Sequence, residues 1–406
     1  MRVWMRMALL ALLVTLLSVT AAAAERAVSV GKSCRITASG ASRKELGALT
    51  DGRYSTYLKV RSKGEIIADG KGKALGSVLL QFYDRPTKTE VWAKTDGGDW
   101  TFVAERGQYL SDWVELPEGT GAVKIVNTDK SRLFMAELTV YGTGDRPENS
   151  PEWVTCGKCD LMVVACHPDD ELLWLGGLLP TYAGERGLQV QVIYAVPSTP
   201  IRRLELLDGL WHCGVKAYPD FFNLPDVYAK KLKAMYSRWG KNKMHRLMTG
   251  FIRRYQPDVL VSHDLNGEYG HAGHQAVADT VKVCVGYAAD PEKFPASAKE
   301  YGVWQVQKCY LHLYGEGKIR LDWHRPLSAF GGKDGMTVAK EAMALHRSQV
   351  KHGWAIEEGG PCDNTLFGLV YSAVGPDEKG DDLFEHIGEE DDEPMIEEVL
   401  LSAEAE

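Results

Sequence analysis

The stretch "VVACHPDDELLWLGG" (residues 163–177) decides the reading of this chain. An apolar run ends on Cys166, and His167, Pro168, Asp169, Asp170 and Glu171 follow before apolar residues resume at Leu172. A short apolar run closed by a proline reads as a buried strand. The acids after it suit the first turn of a helix, whose free N–H groups favour negative charge. Further along the alternation repeats: "LQVQVIYAV" and "PDVLVSH" read as strands. "ELLWLGGLLPTYAGERG", "RRLELLDGLWHCGV", the long amphipathic "KKLKAMYSRWGKNKMHRLMTGFIRRY" and the run from "HAGHQAVADTVKVCV" read as helices. Strand and helix in turn predict an α/β fold, a mostly parallel sheet with helices on both faces. In such sheets ligands bind beyond the carboxyl ends of the strands. "ACHPDDE" and "SHDLNGEYGHAGHQ" both fall at such ends.

These two segments carry the chemistry. His167 and Asp170, three apart across a tight turn, can point at one place while Asp169 points elsewhere. In "EYGHAGH", His271 and His274 are three apart at a helix start and share one face. Two imidazoles and a carboxylate are the ligand count of a catalytic zinc whose fourth position is open to water. The same donors also suit iron(II). Alone, "HPDDE" reads equally as a helix N-terminus, and a lone H-x-x-H pair is weak; found together at two strand ends, they predict a metal site.

The rest of the chain bounds what that site belongs to. With 406 residues, 45% of them hydrophobic, two domains or more are expected. Residues 1–24 read as an export signal: Arg2 and Arg6 precede an apolar run that closes on Ala21, Ala22, Ala23 and Ala24. The alternative is a retained anchor; after cleavage no membrane span is expected. Residues 376–406 hold 14 acids and one base, Lys379, so this tail carries −13 of a chain total of −8 and leaves +5 for the rest. Removing Arg2 and Arg6 with the signal leaves a body near +3, which argues against a nucleic-acid partner. The tail is expected to be disordered and solvating. Eight cysteines in an exported chain permit disulfides. Cys156 and Cys159 form the only C-x-x-C; without a second pair it is no zinc ribbon, and a short disulfide is preferred over free thiols.

Residues 26–145 read as all-β. "SVLLQFY", "TEVWAK", "WTFVA", "DWVEL", "AVKIVN" and "AELTVYG" are short runs broken by turn residues, and "TDGGDW" (residues 95–100) signals a hairpin between two of them. A β-sandwich is expected. "LTDGRYSTY" and "LFMAELTVYG" resemble a discoidin, or F5/8 type C, module, a galactose-binding-like jelly roll. That resemblance implies contact with carbohydrate or a cell surface; a packing domain without ligand is the alternative. "GTGDRPENSP" reads as linker, and residues 146–154 separate the domains.

"ACHPDDE", "RRLELL", "NLPD", "GEYGHAGHQ" and "LHRSQ" resemble the PIG-L/LmbE-like deacetylases, over residues 155–375. The resemblance implies a Rossmann-like sheet and a zinc hydrolase that removes acetyl groups from N-acetylglucosaminyl compounds. Carried over by position, it implies His167, Asp170 and His274 as metal ligands and Asp169 as general base. It implies that a charged His271 assists the polarised carbonyl, that Tyr269 supports the oxyanion, and that Arg202 and Asp226 hold substrate hydroxyls or phosphate. Two positions depart from the family: Cys166 stands where alanine is commoner, and "HAGH" replaces the frequent "HPDH". Asp264 is expected to orient a metal-bound histidine, His263 to lie behind the ligands, and His346 and Trp174 to pack in the core, the alternatives being a place near the site for His346 and a sugar platform for Trp174. Gly176 and Gly177 are expected to let a helix approach the sheet. The competing functions are a zinc amidase on another N-acyl group and an inactive glycan-binding surface protein.

Overall fold

The computed structural model describes residues 25–95, 97–315 and 318–388. The expected leader and residues 389–406 of the expected tail lie outside the described residues. The chain divides into two compact units between Trp153 and Val154.

In the first unit, strands β1 (Arg35–Ala38), β2 (Leu58–Val60), β3 (Glu65–Asp69), β4 (Leu75–Phe82), β5 (Thr89–Thr95), β6 (Trp100–Arg106), β7 (Ser111–Glu115), β8 (Thr120–Asn127) and β9 (Leu133–Gly142) form two sheets. Their orders are β1-β3-β8-β5-β6 and β2-β9-β4-β7. Every pairing is antiparallel. All six expected runs are strands; β5 and β6 pair as the expected hairpin, and Gly97 between them has a φ of 74°, a conformation that favours glycine. Val78, Leu80, Phe82, Val91, Val123, Ile125, Leu138 and Val140 are buried at 0% or 1% exposure and form this unit's core.

The second unit holds one seven-stranded sheet. Its strands are β10 (Leu161–Ala165), β11 (Val190–Tyr194), β12 (Asp220–Phe221), β13 (Val259–Ser262), β14 (Lys308–His312), β15 (Lys318–Arg320) and β16 (Leu366–Ser372). The order is β12-β11-β10-β13-β14-β16-β15. The first five are parallel, while β16 runs antiparallel to both β14 and β15. Helices α1 (Asp170–Leu173), α2 (Pro200–His212), α3 (Leu232–Trp239), α4 (Lys241–Tyr255), α5 (Ala272–Ala289) and α6 (Gly335–Leu345) connect them. Met162, Val164, Leu260, Cys309 and Leu311 of the strands pack with Met244, Met248 and Ile252 of α4 and Val277, Val281 and Cys284 of α5. Chain order reverses between β10 and β13, and the carboxyl ends of strands at such a reversal open a crevice. Among the described residues no helix is long and apolar enough to cross a membrane.

Several expectations need correction. The helix expected after His167 is one turn, α1, followed by a break and a separate helical segment, Pro180–Glu185. Gly176 has a φ of 57°, and a Cβ there would lie 2.8 Å from Trp323 Nε1 and 2.9 Å from Asn364 Oδ1. A Cβ at Gly177 would lie 3.0 Å from Trp323. Both glycines therefore admit Trp323, not the sheet. The long amphipathic helix is two, α3 and α4, split at Gly240 with a φ of 82°. The preferred disulfide is absent: Cys156 and Cys159 are free, as are the other six cysteines. The acidic tail is not free from residue 376. Lys308, fully buried, binds Asp377 and donates to the Glu385 carbonyl at 2.9 Å, Tyr182 donates to Asp382 at 2.9 Å, and Leu383 is buried.

Candidate metal centre and active site

Three neighbouring parallel strands each end in a histidine. His312 is the last residue of β14, His263 follows β13 directly, and His167 comes two residues after β10. Helix α5 begins beside them, with His271 at its N-cap and His274 in its first turn. Asp170 is thereby brought to His167, three residues before it, and to His274, distant in sequence.

Asp170 is the centre of this arrangement. Its Oδ2 accepts the His167 backbone N–H at 2.7 Å and lies 3.0 Å from His167 Nδ1 and 3.3 Å from His274 Nε2. Its Oδ1 accepts the Trp174 indole N–H at 2.9 Å. Ligand atoms set tetrahedrally around zinc stand about 3.3 Å apart, and the two spacings from Asp170 to the imidazoles match that. His274 supplies a second test. Its Nδ1 lies 2.6 Å from Glu268 Oε2 and so carries its proton there. Its Nε2, buried and without a hydrogen-bond partner, then turns a lone pair toward the Asp170 carboxylate. A lone pair and a carboxylate oxygen facing each other call for a cation between them, a proton or a metal. With no metal, burial opposes charging of His274, but Asp170 and Glu268 overcome it and hold the imidazole up at about 10. Burial likewise raises Asp170, yet His274 and His167 outweigh it and hold that carboxyl well below its usual range. The donors fit a divalent ion.

Other donors stand close. Ligand atoms of Cys166, His167, His271 and His274 lie within 4.8 Å of one another, as do those of Asp170, His263 and His274. His263 is not available, because its Nε2 accepts the Cys166 backbone N–H at 2.9 Å and its Nδ1 binds Glu268 at 2.9 Å. Cys166 is a poor ligand: burial, then Asp170, Asp226 and Glu268, push its thiol up and away from the thiolate a metal needs. His271 lies with its ring 5.0 Å from that of His167 and 4.5 Å from that of His274. Burial and the neighbouring imidazoles push its pKa down to about 3, so at neutral pH it is uncharged. The charged His271 expected from the sequence is corrected; it can offer an N–H but no charge.

The carboxylate that orients the histidines is Glu268, which sequence reasoning missed. It is fully buried; Oε2 accepts from His263 Nδ1 and His274 Nδ1, and Oε1 accepts from His312 Nδ1 at 2.8 Å and from the Asp264 backbone N–H at 3.1 Å. Burial raises this carboxyl, but His263 first, then His274 and His312, hold it well below the ordinary range. A carboxylate behind a metal-binding histidine fixes its tautomer and ring plane. Asp264, expected in that role, instead accepts from the Asn266 backbone N–H at 3.1 Å. His312 was missed too, although it ends an apolar strand as His263 nearly does.

Asp169 sits at the N-cap of α1 with a φ of 109° and a ψ of −23°, a strained geometry for a residue with a side chain. Its backbone N–H donates to Glu171 Oε2 at 3.0 Å. Arg202 Nη2 donates to Asp169 Oδ1 at 2.9 Å and to the Pro168 carbonyl at 2.6 Å. Arg202 therefore steadies the acid loop through Nη2. Burial pushes the Asp169 carboxyl well up, Arg202 opposes it, and Asp170 and Glu171 add to the rise. Asp226 is half exposed, with Oδ1 4.0 Å from His167 Nε2, which places it at the mouth of the site. Tyr269 is 58% exposed, its ring 5.7 Å from those of His271 and His274. Burial of its hydroxyl, then Asp170, raises its pKa, so it remains a donor. His346 is fully buried beyond Asp169, Nε2 3.8 Å from Glu171 Oε1.

The two departures from the family pattern meet in space. A Cβ at Gly273 would lie 2.9 Å from Cys166 Sγ and 2.9 Å from His271 Cε1. The larger side chain at 166 fills room that a side chain at 273 would need.

Comparisons with known proteins agree with the site's location. Residues 162–285 match the family model described as PIG-L, GlcNAc-PI de-N-acetylase. A 1D-myo-inositol 2-acetamido-2-deoxy-alpha-D-glucopyranoside deacetylase 1 of Catenulispora acidiphila is 28% identical over 208 residues, 43% of this chain and 61% of that protein. The corresponding deacetylase of Tsukamurella paurometabola is 26% identical over 201 residues, 39% of this chain and 64% of its own. The chain thus spans less than two thirds of these curated relatives' length. Among solved structures, the N,N'-diacetylchitobiose deacetylase of Pyrococcus horikoshii is 17% identical with a TM-score of 0.39, covering 56% of this chain and 86% of that one. Residues 162–285, which supply His167, Asp169, Asp170, Glu268, His271 and His274, are the part of the chain that matches the PIG-L family model.

Proposed function

We propose that this protein is a zinc-dependent hydrolase that removes the N-acetyl group from an N-acetylglucosamine-type amino sugar or glycoconjugate, releasing acetate and a free amine. One observation carries the reading: the buried, unpartnered Nε2 of His274 faces the Asp170 carboxylate, which also meets His167, beside a strained second aspartate. The curated relatives, named as deacetylases of an inositol-linked acetamido sugar, support the substrate class.

Zinc held by His167, Asp170 and His274 would supply an acidified water and a Lewis acid for the acetyl carbonyl. The protein's own groups do the rest. Asp169, kept off the ligand set by its turn and steadied by Arg202, takes a proton on its free carboxylate oxygen and returns it to the leaving amine. Burial raises its pKa above the usual carboxylate range, which favours holding that proton. Neutral His271 and the Tyr269 hydroxyl offer hydrogen bonds to the developing oxyanion; one such donor is worth about 3 kcal/mol. Asp226 at the mouth accepts from sugar hydroxyls. Glu268 keeps His274 in the tautomer that leaves Nε2 free.

The test is acetate release from a panel of N-acetylated sugars, with zinc content measured before and after chelation. Activity that is lost with zinc and restored by it supports the proposal; acetate release indifferent to metal removes it. We also propose export, resting on residues 1–24, and a glycan contact through the sandwich unit, resting on its discoidin-like motifs. N-terminal sequencing of secreted protein should begin just after the alanine run, and a glycan array should register the first unit.

A further inference from the structure

Three aromatic rings stand outside the ligand set. Trp174 is tied to it by the indole N–H on Asp170 Oδ1. The ring of Tyr269 lies 5.5 Å from that of Trp174 and 5.7 Å from that of Trp354. Trp354 stands 6.3 Å from Trp174 and nearly perpendicular to it, at 81°, so the rings form a cup, not a flat stack. Tyr269, which also touches His271 and His274, joins the cup to the histidines; Trp354 lies one ring further out.

This cup is not ordinary core. Tyr269 is 58% exposed and Trp354 38%, large apolar surfaces left open beside a site. Tyr269 is also held at a φ of 49°, a conformation that costs a residue with a side chain, so the chain bears strain where it presents this ring. Ligand sites are commonly lined by aromatic faces with a few placed polar groups, and here the polar groups are Asp226 and the histidines. A pyranose with equatorial hydroxyls shows flat C–H faces that suit such rings, while its hydroxyls stay in water.

We propose that Trp174, Tyr269 and Trp354 form an outer subsite that stacks a second pyranose, so that the substrate is an N-acetylated oligosaccharide and not a single amino sugar. This rests on the deacetylase reading above. The first ring places its acetamido group at the ligand set, and the linked ring lies in the cup against Trp354.

The experiment compares acetate release by the full chain from N-acetylglucosamine and from its β-1,4-linked disaccharide. The wild-type protein should have the higher kcat/KM on the disaccharide. Trp354→Ala should lower the disaccharide-to-monosaccharide ratio by about threefold to tenfold, the value of one ring stack. Trp354→Phe should restore most of that ratio, which separates loss of a ring from loss of fold. An unchanged ratio in Trp354→Ala, or a wild-type preference for the monosaccharide, overturns the subsite while leaving the deacetylase reading in place. No acetate from either sugar with the zinc-loaded wild type refutes the deacetylase reading and the subsite with it.

Discussion

Glu268→Gln is the substitution that asks most of the site. It preserves shape and removes one charge from a carboxylate that serves three imidazoles and one backbone N–H. The glutamine oxygen can still accept on one side, but its amide hydrogens must face donors on the other. At least one buried N–H then loses its partner, which costs about 1–3 kcal/mol of folding stability. The conflict reaches the ligand set through His274, whose Nδ1 lies 2.6 Å from Oε2. If the amide nitrogen turns that way, His274 must move its proton to Nε2, the atom that faces Asp170. Loss of such an outer carboxylate costs 10- to 100-fold in metal affinity, about 1.4–2.7 kcal/mol. Competition of the purified variant against a chelator of known zinc affinity, beside thermal melting of the metal-free protein, measures both quantities. A variant that melts lower but holds zinc as tightly as the wild type would refute the link from Glu268 to the ligands.

Asp169→Asn should keep zinc bound and lower kcat by about 10²- to 10⁴-fold, the contribution of a positioned proton acceptor; stopped-time acetate assays with metal analysis check it. Gly273→Asp should destabilise the protein by about 1–3 kcal/mol through its 2.9 Å approach to Cys166 Sγ, and Cys166→Ala in the same chain should recover much of that in denaturant melts. Glu137, buried beside Asp51 and accepting the Arg53 backbone N–H at 2.8 Å, has its pKa pushed up to about 7, first by burial and then by Asp51. A carboxyl raised in the fold favours folding while protonated. Its contribution is therefore full below the unfolded value of 4.5 and is lost as pH rises through about 7. After allowance for solvent screening this amounts to about 1–2 kcal/mol, read as a falling melting temperature of the first unit between those values and flattened by Glu137→Gln.

The sheet of the second unit was legible because its central strands are buried on both faces and read as continuous apolar runs, "LMVVA" in β10 and "VLVS" in β13. The short strands β1, β2 and β3 gave no such signal: "LKV" is three residues long, and "RITA" is half exposed along its length. Helix ends were harder, since "ELLWLGG" keeps a helical pattern through Gly176, and only the packing of Trp323 and Asn364 against that glycine shows why the turn ends there. The candidate ligands could be singled out because both motifs stand in a recognisable order of residue types beyond a strand end. Glu268 could not, because in "NGEYGH" it looks like one more loop acid, and its burial depends on three histidines that arrive from separate strands and a helix. The contact of Arg202 with the Pro168 carbonyl could not be foreseen, because the sequence does not show that this carbonyl turns to meet it.

If His167, Asp170 and His274 hold one divalent ion, the loaded protein must show it there. Anomalous scattering at the zinc edge from crystals of the zinc-loaded protein tests it most directly. One peak bonded to those three side chains is expected, with His263 still accepting the Cys166 N–H. A peak bonded to His263, or to Cys166 and His271 without Asp170, would contradict it, as would zinc-loaded crystals with no peak among these residues.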